Sequence, residues 1–383
     1  MSPYSSADFN INPLMFYYEV TQACGLVCKH CRASAQEQPA DDELSTDTAL
    51  KLIEQVASFP RKPNICFTGG DPLKRADIFT LIEHAVKQGL SVALTPSATP
   101  LATYEALAKA KEAGVQALGI SLDGPDAEVH DAFRGFAGSF AKTREMIEAA
   151  KKLQIPVQIN TSITQRNFNL IDDLAEYIAA CCGEGSGGVM MWSVFFLIPV
   201  GRGLEEKRIR AADYETVFET LWHHAQTKPF AVKTTEAPHY RRFVLRQGGN
   251  PLDVPRPFRT QTDVLGKRQN PPEKIRSRAP LGITDGRGIM FVSHNGTIYP
   301  AGFLPVACGQ FPKDSLVDVY QRHPVFKALQ NPDNFKGRCG RCEYRYVCGG
   351  SRSRAYAVFG DYLESEPDCN YVIGQDKLYK MES

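Results

Sequence analysis

Two hydrophobic rhythms alternate along the first 230 residues. Short apolar runs bounded by turn formers, the composition of buried strands, fall at 14–20, 64–68, 91–95, 117–121, 157–161 and 190–196. Between and after them, apolar residues return every three or four positions, as in amphipathic helices, at 48–59, 76–88, 103–113, 140–153, 170–180 and 212–226. In the first of these, Ser45-Thr46-Asp47 supplies the opening cap, and Leu52, Ile53 and Val56 share one face. Strand followed by helix, six times over, predicts an α/β fold with a parallel sheet and right-handed crossovers. Six units are fewer than the eight of a closed barrel. The expected architecture is therefore a partial (β/α)6 barrel, open on one side. Chemistry in such sheets gathers at the C-terminal strand ends.

From Lys228 onward this rhythm is expected to stop. The stretch 247–279 is rich in Pro, Arg and Gln, with seven basic residues against three acidic ones, a local balance of +4. It reads either as a solvated linker or as a lid over a carboxylate-bearing substrate. Beyond it, Gly288–Ser293 and Ile298–Pro300 flank an Asn295-Gly296 turn, the signature of a hairpin, and a helix is expected over 315–330. The predicted organisation is a core at 1–228, a linker with the basic loop at 229–285, and a small C-terminal module at 286–383.

Composition changes this picture little. Of 383 residues, 43% are hydrophobic and 23% charged, ordinary for a globular chain. A net charge of +1 gives no reason to expect a nucleic-acid or membrane-surface partner. No apolar run approaches the roughly 20 residues that span a bilayer. Residues 1–13 lack a basic region followed by a long apolar one, so no secretory signal is read there and a cytoplasmic location is expected.

The cysteines change it a great deal. There are 11, and seven of them cluster: Cys24, Cys28 and Cys31 on the loop leaving the first strand, then Cys339, Cys342, Cys348 and Cys369 near the end. In a cytoplasmic chain such spacing means metal, not disulfides. Cys66, Cys181, Cys182 and Cys308 read as small buried hydrophobes. Three thiolates on one loop leave a metal position open, whereas four close a site. Other strand ends carry Gly69-Gly70-Asp71-Pro72, Ser97, Ser121 with Asp123, Asn160 with Thr161, and Ile198 to Gly203.

Cys-x3-Cys-x2-Cys after the first strand and Gly-Gly-Asp-Pro after the second resemble the radical S-adenosylmethionine (radical SAM) superfamily, with His30 where many members have an aromatic residue. The resemblance implies that Cys24, Cys28 and Cys31 hold a [4Fe–4S] cluster whose fourth iron is chelated by SAM. It further implies SAM contacts from Gly69, Gly70 and Asp71, from Ser121, Asp123 and Asn160, from Arg134 toward the carboxylate, and from Ile198 toward the adenine. The C-terminal cysteines resemble the SPASM domain, which has seven cysteines and two auxiliary clusters. Here Ala301 and Arg352 stand where two ligands of the first cluster belong, while the four ligands of the second remain. One auxiliary [4Fe–4S] cluster on Cys339, Cys342, Cys348 and Cys369 is therefore expected, with structural zinc as the alternative.

Cys31-Arg32-Ala33-Ser34-Ala35 and Phe195 to Gly203 are similar to the porphyrin-tailoring branch, the enzymes of haem b and haem d1 assembly. That likeness implies oxidative decarboxylation of a porphyrin side chain, with a flavodoxin or ferredoxin as reductant. SPASM-type peptide maturases, and a metal-stabilised binding protein without catalysis, are the competing readings. Arg202, Arg241 and Arg242 are candidate cations for a substrate carboxylate, or else loop anchors. His239 and Tyr240 are candidates for an iron ligand or a proton donor.

Overall fold

The computed structural model describes residues 5–182, 187–251 and 282–374. Its organising element is one sheet of ten strands: β1 Met15–Glu19, β2 Asn64–Thr68, β3 Ser91–Leu94, β4 Ala117–Ser121, β5 Pro156–Ile163, β6 Gly188–Phe196, β7 Ala231–Thr235, β8 Ile289–Val292, β9 Thr297–Tyr299 and β10 Gly309–Gln310. Their order is β10-β9-β8-β1-β2-β3-β4-β5-β6-β7. Every pair from β8 through β1 to β7 is parallel, and β9 and β10 add antiparallel strands at one edge. The predicted partial barrel is the fold observed.

Helices cover the outside: α1 Thr46–Ala57, α2 Ile78–Lys87, α3 Tyr104–Glu112, α4 Ala127–Arg134, α5 Ser139–Lys152, α6 Ile171–Ala180, α7 Ala211–Thr227 and α8 His239–Arg246. Strand alternation explains why they stay there. One face of the sheet carries Phe16, Tyr18, Ile65, Phe67, Val92, Leu94, Ile120, Ile159, Trp192, Val194, Val232, Met290 and Val292, all buried in the main core. The registers put these side chains in lateral rows, so each strand offers its neighbour an apolar partner on the same face. The other face carries Tyr17, Gln158, Asn160, Ser162 and Lys233, which are only half-buried. A closed barrel fills its interior with apolar layers. Here the concave face is mixed: these half-buried polar groups stand beside Met191 and Phe195, with Cys66, Ser193 and Phe291 buried among them.

Two expectations need correction. The alternation does not stop at Lys228: β7 pairs parallel with β6 and α8 follows it, so the described part of 229–285 is core as well as linker. β7 escapes notice because Ala231-Val232-Lys233-Thr234-Thr235 has only two apolar residues, its inner face being polar. The helix expected over 315–330 is two helices, α9 Leu316–Arg322 and α10 Pro324–Gln330. Between them His323 is extended (φ −63°, ψ 133°), as the proline ring after it requires. The basic stretch falls, from residue 252, outside the described residues. The hairpin forms as expected, yet β8 continues the barrel sheet by pairing with β1. Among the described residues no helix is long and apolar enough to cross a membrane.

Candidate metal centres and cofactor site

Cys24, Cys28 and Cys31 lie together at the C-terminal end of β1, on a loop held by several strand ends at once. Cys24 N–H donates to Gln36 O (2.7 Å), and Asp71 N–H and Gly70 N–H donate to Ala23 O (2.7 Å) and Thr21 O (2.9 Å). The Gly69-Gly70 turn thus runs directly along the chain entering the cysteine loop. A Cβ on Gly70 would sit 2.4 Å from Ala23 O, so only glycine allows this approach. From the far side, Arg202 donates to Cys28 O (2.8 Å) and Ala35 O (2.7 Å), and its own N–H donates to Cys31 O (3.0 Å). Arg202 anchors the loop; it is not a free cation for substrate.

Each of the three sulfurs has a donor. Leu26 N–H points at Cys24 Sγ (3.3 Å), Ala35 N–H at Cys31 Sγ (3.4 Å), and the Arg134 guanidinium at Cys28 Sγ (3.7 Å). Burial pushes the Cys24 and Cys28 thiols up, against the opposing pull of these donors and, for Cys28, of the Arg134 charge. A metal that binds them displaces those protons.

The remaining predicted contacts divide into two groups. Asp71 is fully buried and accepts from Thr99 Oγ1 (2.7 Å), Ser97 N–H (3.3 Å) and Leu73 N–H (3.2 Å). Burial outweighs these bonds and holds its carboxyl above the usual range. Asp123 is equally buried, pairs with Arg134 (2.6 Å) and accepts from Ser162 N–H (2.7 Å). Both carboxylates brace the site: one ties the β2 and β3 ends together, the other aims Arg134 at Cys28. Ile198 is 2% exposed. Ser121 and Asn160 are half-buried on the concave face, Asn160 accepting from Gln158 (2.7 Å), and remain reachable from the cavity. The aromatic role of His30 is filled by packing: its ring lies 4.6 Å from that of Phe133.

The four C-terminal cysteines line one cleft, with His239, Arg242 and Tyr371 in its wall. Cys339 sits in α11 Gly337–Arg341, and Cys342 caps that helix. Cys348 precedes Gly349 and Gly350, both with left-handed φ (70° and 67°), which turn the chain sharply. A Cβ on Gly350 would lie 3.2 Å from Cys339 Sγ. Glu366 N–H donates to Cys339 Sγ (3.2 Å) and Gly350 N–H to Cys348 Sγ (3.4 Å). Burial pushes the Cys342 thiol up to about 12, and burial with the neighbouring thiols also raises Cys348. All 11 cysteines are unbridged.

All-thiolate donor sets of three and four fit iron–sulfur clusters, and four thiolates are also a zinc donor set. Zinc gathers its thiolates about 2.3 Å from a single point. A cubane spreads them over separate irons. The positions where a seven-cysteine pattern would put a further cluster are filled instead. Ala301 packs with Leu304 and Leu329. Arg352, fully buried, donates to Glu364 O (2.7 Å) and Tyr362 O (3.1 Å) and lies over the Phe335 ring.

The other candidate cations are also anchors. Arg241 donates to Ile283 O (2.8 Å) and Val347 O (3.1 Å), and Arg242 pairs with Glu215. His239 lines the C-terminal cleft. Sequence reasoning named Ser121 and Asn160 on the concave face but missed Gln158, Ser162 and Lys233; the strict alternation of β5 is the signal that could have found the first two.

The strand-end three-thiol loop, the glycine turn against it and the partial barrel define a class, and the family comparison agrees. Residues 18–181 match the Radical SAM superfamily model. The chain belongs to the radical SAM superfamily and is an enzyme of that kind; membership implies SAM and a [4Fe–4S] cluster. Within it, the chain is 36% identical over 364 residues to an "AdoMet-dependent heme synthase" of Methanosarcina barkeri, covering 95% of this chain and 98% of that one. It is 37% identical to the protein of the same name from Nitratidesulfovibrio vulgaris, covering 92% and 91%. A "Pre-heme d1 synthase" of Dinoroseobacter shibae is 26% identical, covering 92% and 85%. Among solved structures, Streptococcus suis SuiB bound to S-adenosylmethionine superposes with a TM-score of 0.66 at 14% identity, covering 94% of this chain and 78% of that one, a likeness of fold.

Proposed function

We propose that this enzyme acts on a porphyrin, as its relatives named heme synthases do, and that it oxidatively decarboxylates propionate side chains of an iron porphyrin. The observation that carries the reading is the 36–37% identity to those relatives over more than nine-tenths of the chain, against 24% to a "PqqA peptide cyclase" of Rhodopseudomonas palustris. The reduced cluster on Cys24, Cys28 and Cys31 supplies one chemistry, cleavage of SAM to a 5′-deoxyadenosyl radical that abstracts hydrogen from substrate.

The chain's own residues do the rest. Gly69 and Gly70 leave backbone exposed to the methionine moiety, and Arg134, held by Asp123, places a cation beside the loop for its carboxylate. Ser121 and Asn160 face the cavity where the ribose would lie, with Ile198 beneath the adenine. Lys233 on the concave face of β7 supplies positive charge toward a substrate carboxylate. Abstraction from the porphyrin-bound methylene leaves a carbon radical. The bond to the carboxylate then breaks, carbon dioxide leaves, the vinyl double bond forms and one electron is released. In the domain at 286–383, Cys339, Cys342, Cys348 and Cys369 would hold an auxiliary [4Fe–4S] cluster, which would supply the acceptor for that electron. A cytoplasmic flavodoxin or ferredoxin supplies the electron that starts the cycle.

The test is anaerobic incubation of reconstituted enzyme with iron-coproporphyrin III, SAM and dithionite, read by mass spectrometry. Each step is expected to remove carbon dioxide and two hydrogens. Unchanged porphyrin beside a modified candidate peptide would replace this reading with that of a peptide maturase.

A further inference from the structure

The cleft of the four C-terminal cysteines contains one polar side chain whose placement the cysteines alone do not explain. His239 opens α8, directly after Pro238, and its side chain forms part of the cleft wall. It is 1% exposed, and neither ring nitrogen has a hydrogen-bond partner. The ring is fixed in place by aromatic neighbours on α7, with centroids 5.0 Å from Tyr214 and 4.9 Å from Phe218. One turn further along α8, Arg242 reaches the same cleft, but its guanidinium is committed to Glu215.

A buried imidazole with no partner is costly, because both nitrogens have given up water for nothing. Structures keep such groups where a ligand supplies the missing bond. Burial, reinforced by the nearby Arg354 and Arg242 charges, holds this imidazole neutral, so it carries one N–H donor and one acceptor. Four cysteines already complete a cubane, so no iron is left for a histidine. What a cluster in this cleft does offer is sulfur, an acceptor that becomes more electron-rich on reduction.

We propose that His239 donates an N–H hydrogen bond to a sulfur of the auxiliary cluster, and that this bond raises the cluster's reduction potential. It is a positioning residue for electron transfer, not a ligand and not a substrate contact. The inference rests on reading the four cysteines as an auxiliary cluster, and it deepens that reading by assigning the direction of electron flow. Hydrogen bonds to cluster sulfurs stabilise the reduced, more negative state. Glu366 N–H, Gly350 N–H and the Arg352 guanidinium, 3.6 Å from Cys339 Sγ, push the same way. In the decarboxylation proposed above, the substrate radical gives up one electron as its carbon–carbon bond breaks and the double bond forms. The oxidised auxiliary cluster takes that electron, and each donor to its sulfurs makes the transfer more favourable.

The experiment uses full-length protein with Cys24, Cys28 and Cys31 replaced by alanine, so that only the C-terminal cluster remains. Iron is counted after anaerobic reconstitution, and the cluster is titrated potentiometrically by EPR in this parent and with His239→Phe or His239→Gln added. Phenylalanine suits the aromatic surroundings and removes the donor, whereas glutamine restores one. At a fixed poise near the parent midpoint, His239→Phe is expected to lower the ratio of reduced to oxidised cluster roughly tenfold, a negative shift of about 59 mV for a one-electron couple. His239→Gln should fall between. An unchanged or more positive midpoint in His239→Phe with its iron retained would overturn the inference while leaving the auxiliary cluster in place. Absence of iron from the parent would overturn both. Should His239→Phe lose its iron, the parent decides: an exchangeable-proton coupling that responds to 15N-histidine labelling supports the bond, and its absence refutes it.

Discussion

The two cysteine sets are built on opposite plans. The first is held from a distance: the loop after β1 is fixed by backbone from the β2 turn, by Arg134 on α4, and by Arg202 beyond β6. The second is largely local: Cys339, Cys342 and Cys348 lie within ten residues, wound by Gly349 and Gly350, with Cys369 and α8 closing the cleft. The difference follows from what each must admit. A three-thiol site has to leave one metal position open toward a cavity, so its rigidity comes from a surrounding scaffold. A four-thiol site admits nothing and can be wrapped by its own chain.

This contrast is broken most severely by removing one ligand from each set. Cys28→Ala is expected to abolish 5′-deoxyadenosine production. Cys342→Ala is expected to keep that production and lose decarboxylated product, since the radical still forms but its electron has no acceptor. Chromatography of nucleoside and porphyrin from the same reactions checks both arms, and loss of SAM cleavage in both variants would show that the sets do not act separately.

A methyl group tests the packing behind each set. Gly70→Ala drives a Cβ into Ala23 O and is expected to cost about 1–3 kcal/mol, with iron lost from the first set. At Gly350, the left-handed backbone and the Glu366 Cβ at 2.8 Å make alanine costly too, but the iron lost should be that of the second set. Chemical denaturation and iron analysis on paired samples measure both effects.

Arg202→Met removes the clamp but keeps most of the side-chain volume. Outer partners of metal ligands are typically worth 10- to 100-fold in affinity or activity. SAM cleavage is expected to fall within that range while the auxiliary cluster's EPR signal stays unchanged. A variant with full activity would return Arg202 to the list of possible substrate cations.

Much of this was legible in the sequence. The outward faces of the strands are apolar on every second residue, so the alternation of elements and the strand ends bearing Cys24, Gly70 and Ser121 could be read directly. Roles carried by hydrogen bonds to backbone carbonyls left no such trace. Nothing in Ile198 to Gly203 says that Arg202 grips Cys28 O and Ala35 O, and nothing around Arg241 says that it spans Ile283 and Val347. β7 was missed because a strand lining a polar cavity lacks the apolar content by which strands are recognised. Asp71 and Asp123 are legible as strand-end carboxylates near the cysteine loop, but a carboxylate that touches a ligand and one buried beneath it look alike in a sequence.

The smallest expected effect concerns the join between the two halves. His294, in the turn between β8 and β9, pairs with Glu19 (2.8 Å), which also binds Arg32 (2.7 Å), the residue after Cys31. Burial alone would lower the His294 pKa, but the hydrogen bond and charge of Glu19, aided by Asp42 and Glu43, raise it above 6.5. A raised histidine pKa contributes stability that is complete below the unfolded value, about 6.5, and is lost as pH climbs through the folded value. Thermal unfolding of the protein should therefore show a shallow loss of stability as pH rises above about 6.5, and His294→Gln should flatten it.

The central claim is that the first set keeps an iron open for SAM and the second does not. Low-temperature EPR of two single-cluster proteins, one lacking Cys24, Cys28 and Cys31 and the other lacking Cys339, Cys342, Cys348 and Cys369, tests it directly when spectra are taken with and without SAM. A SAM-induced change of the reduced signal is expected only in the protein that keeps the first set. A change confined to the C-terminal cluster would contradict it.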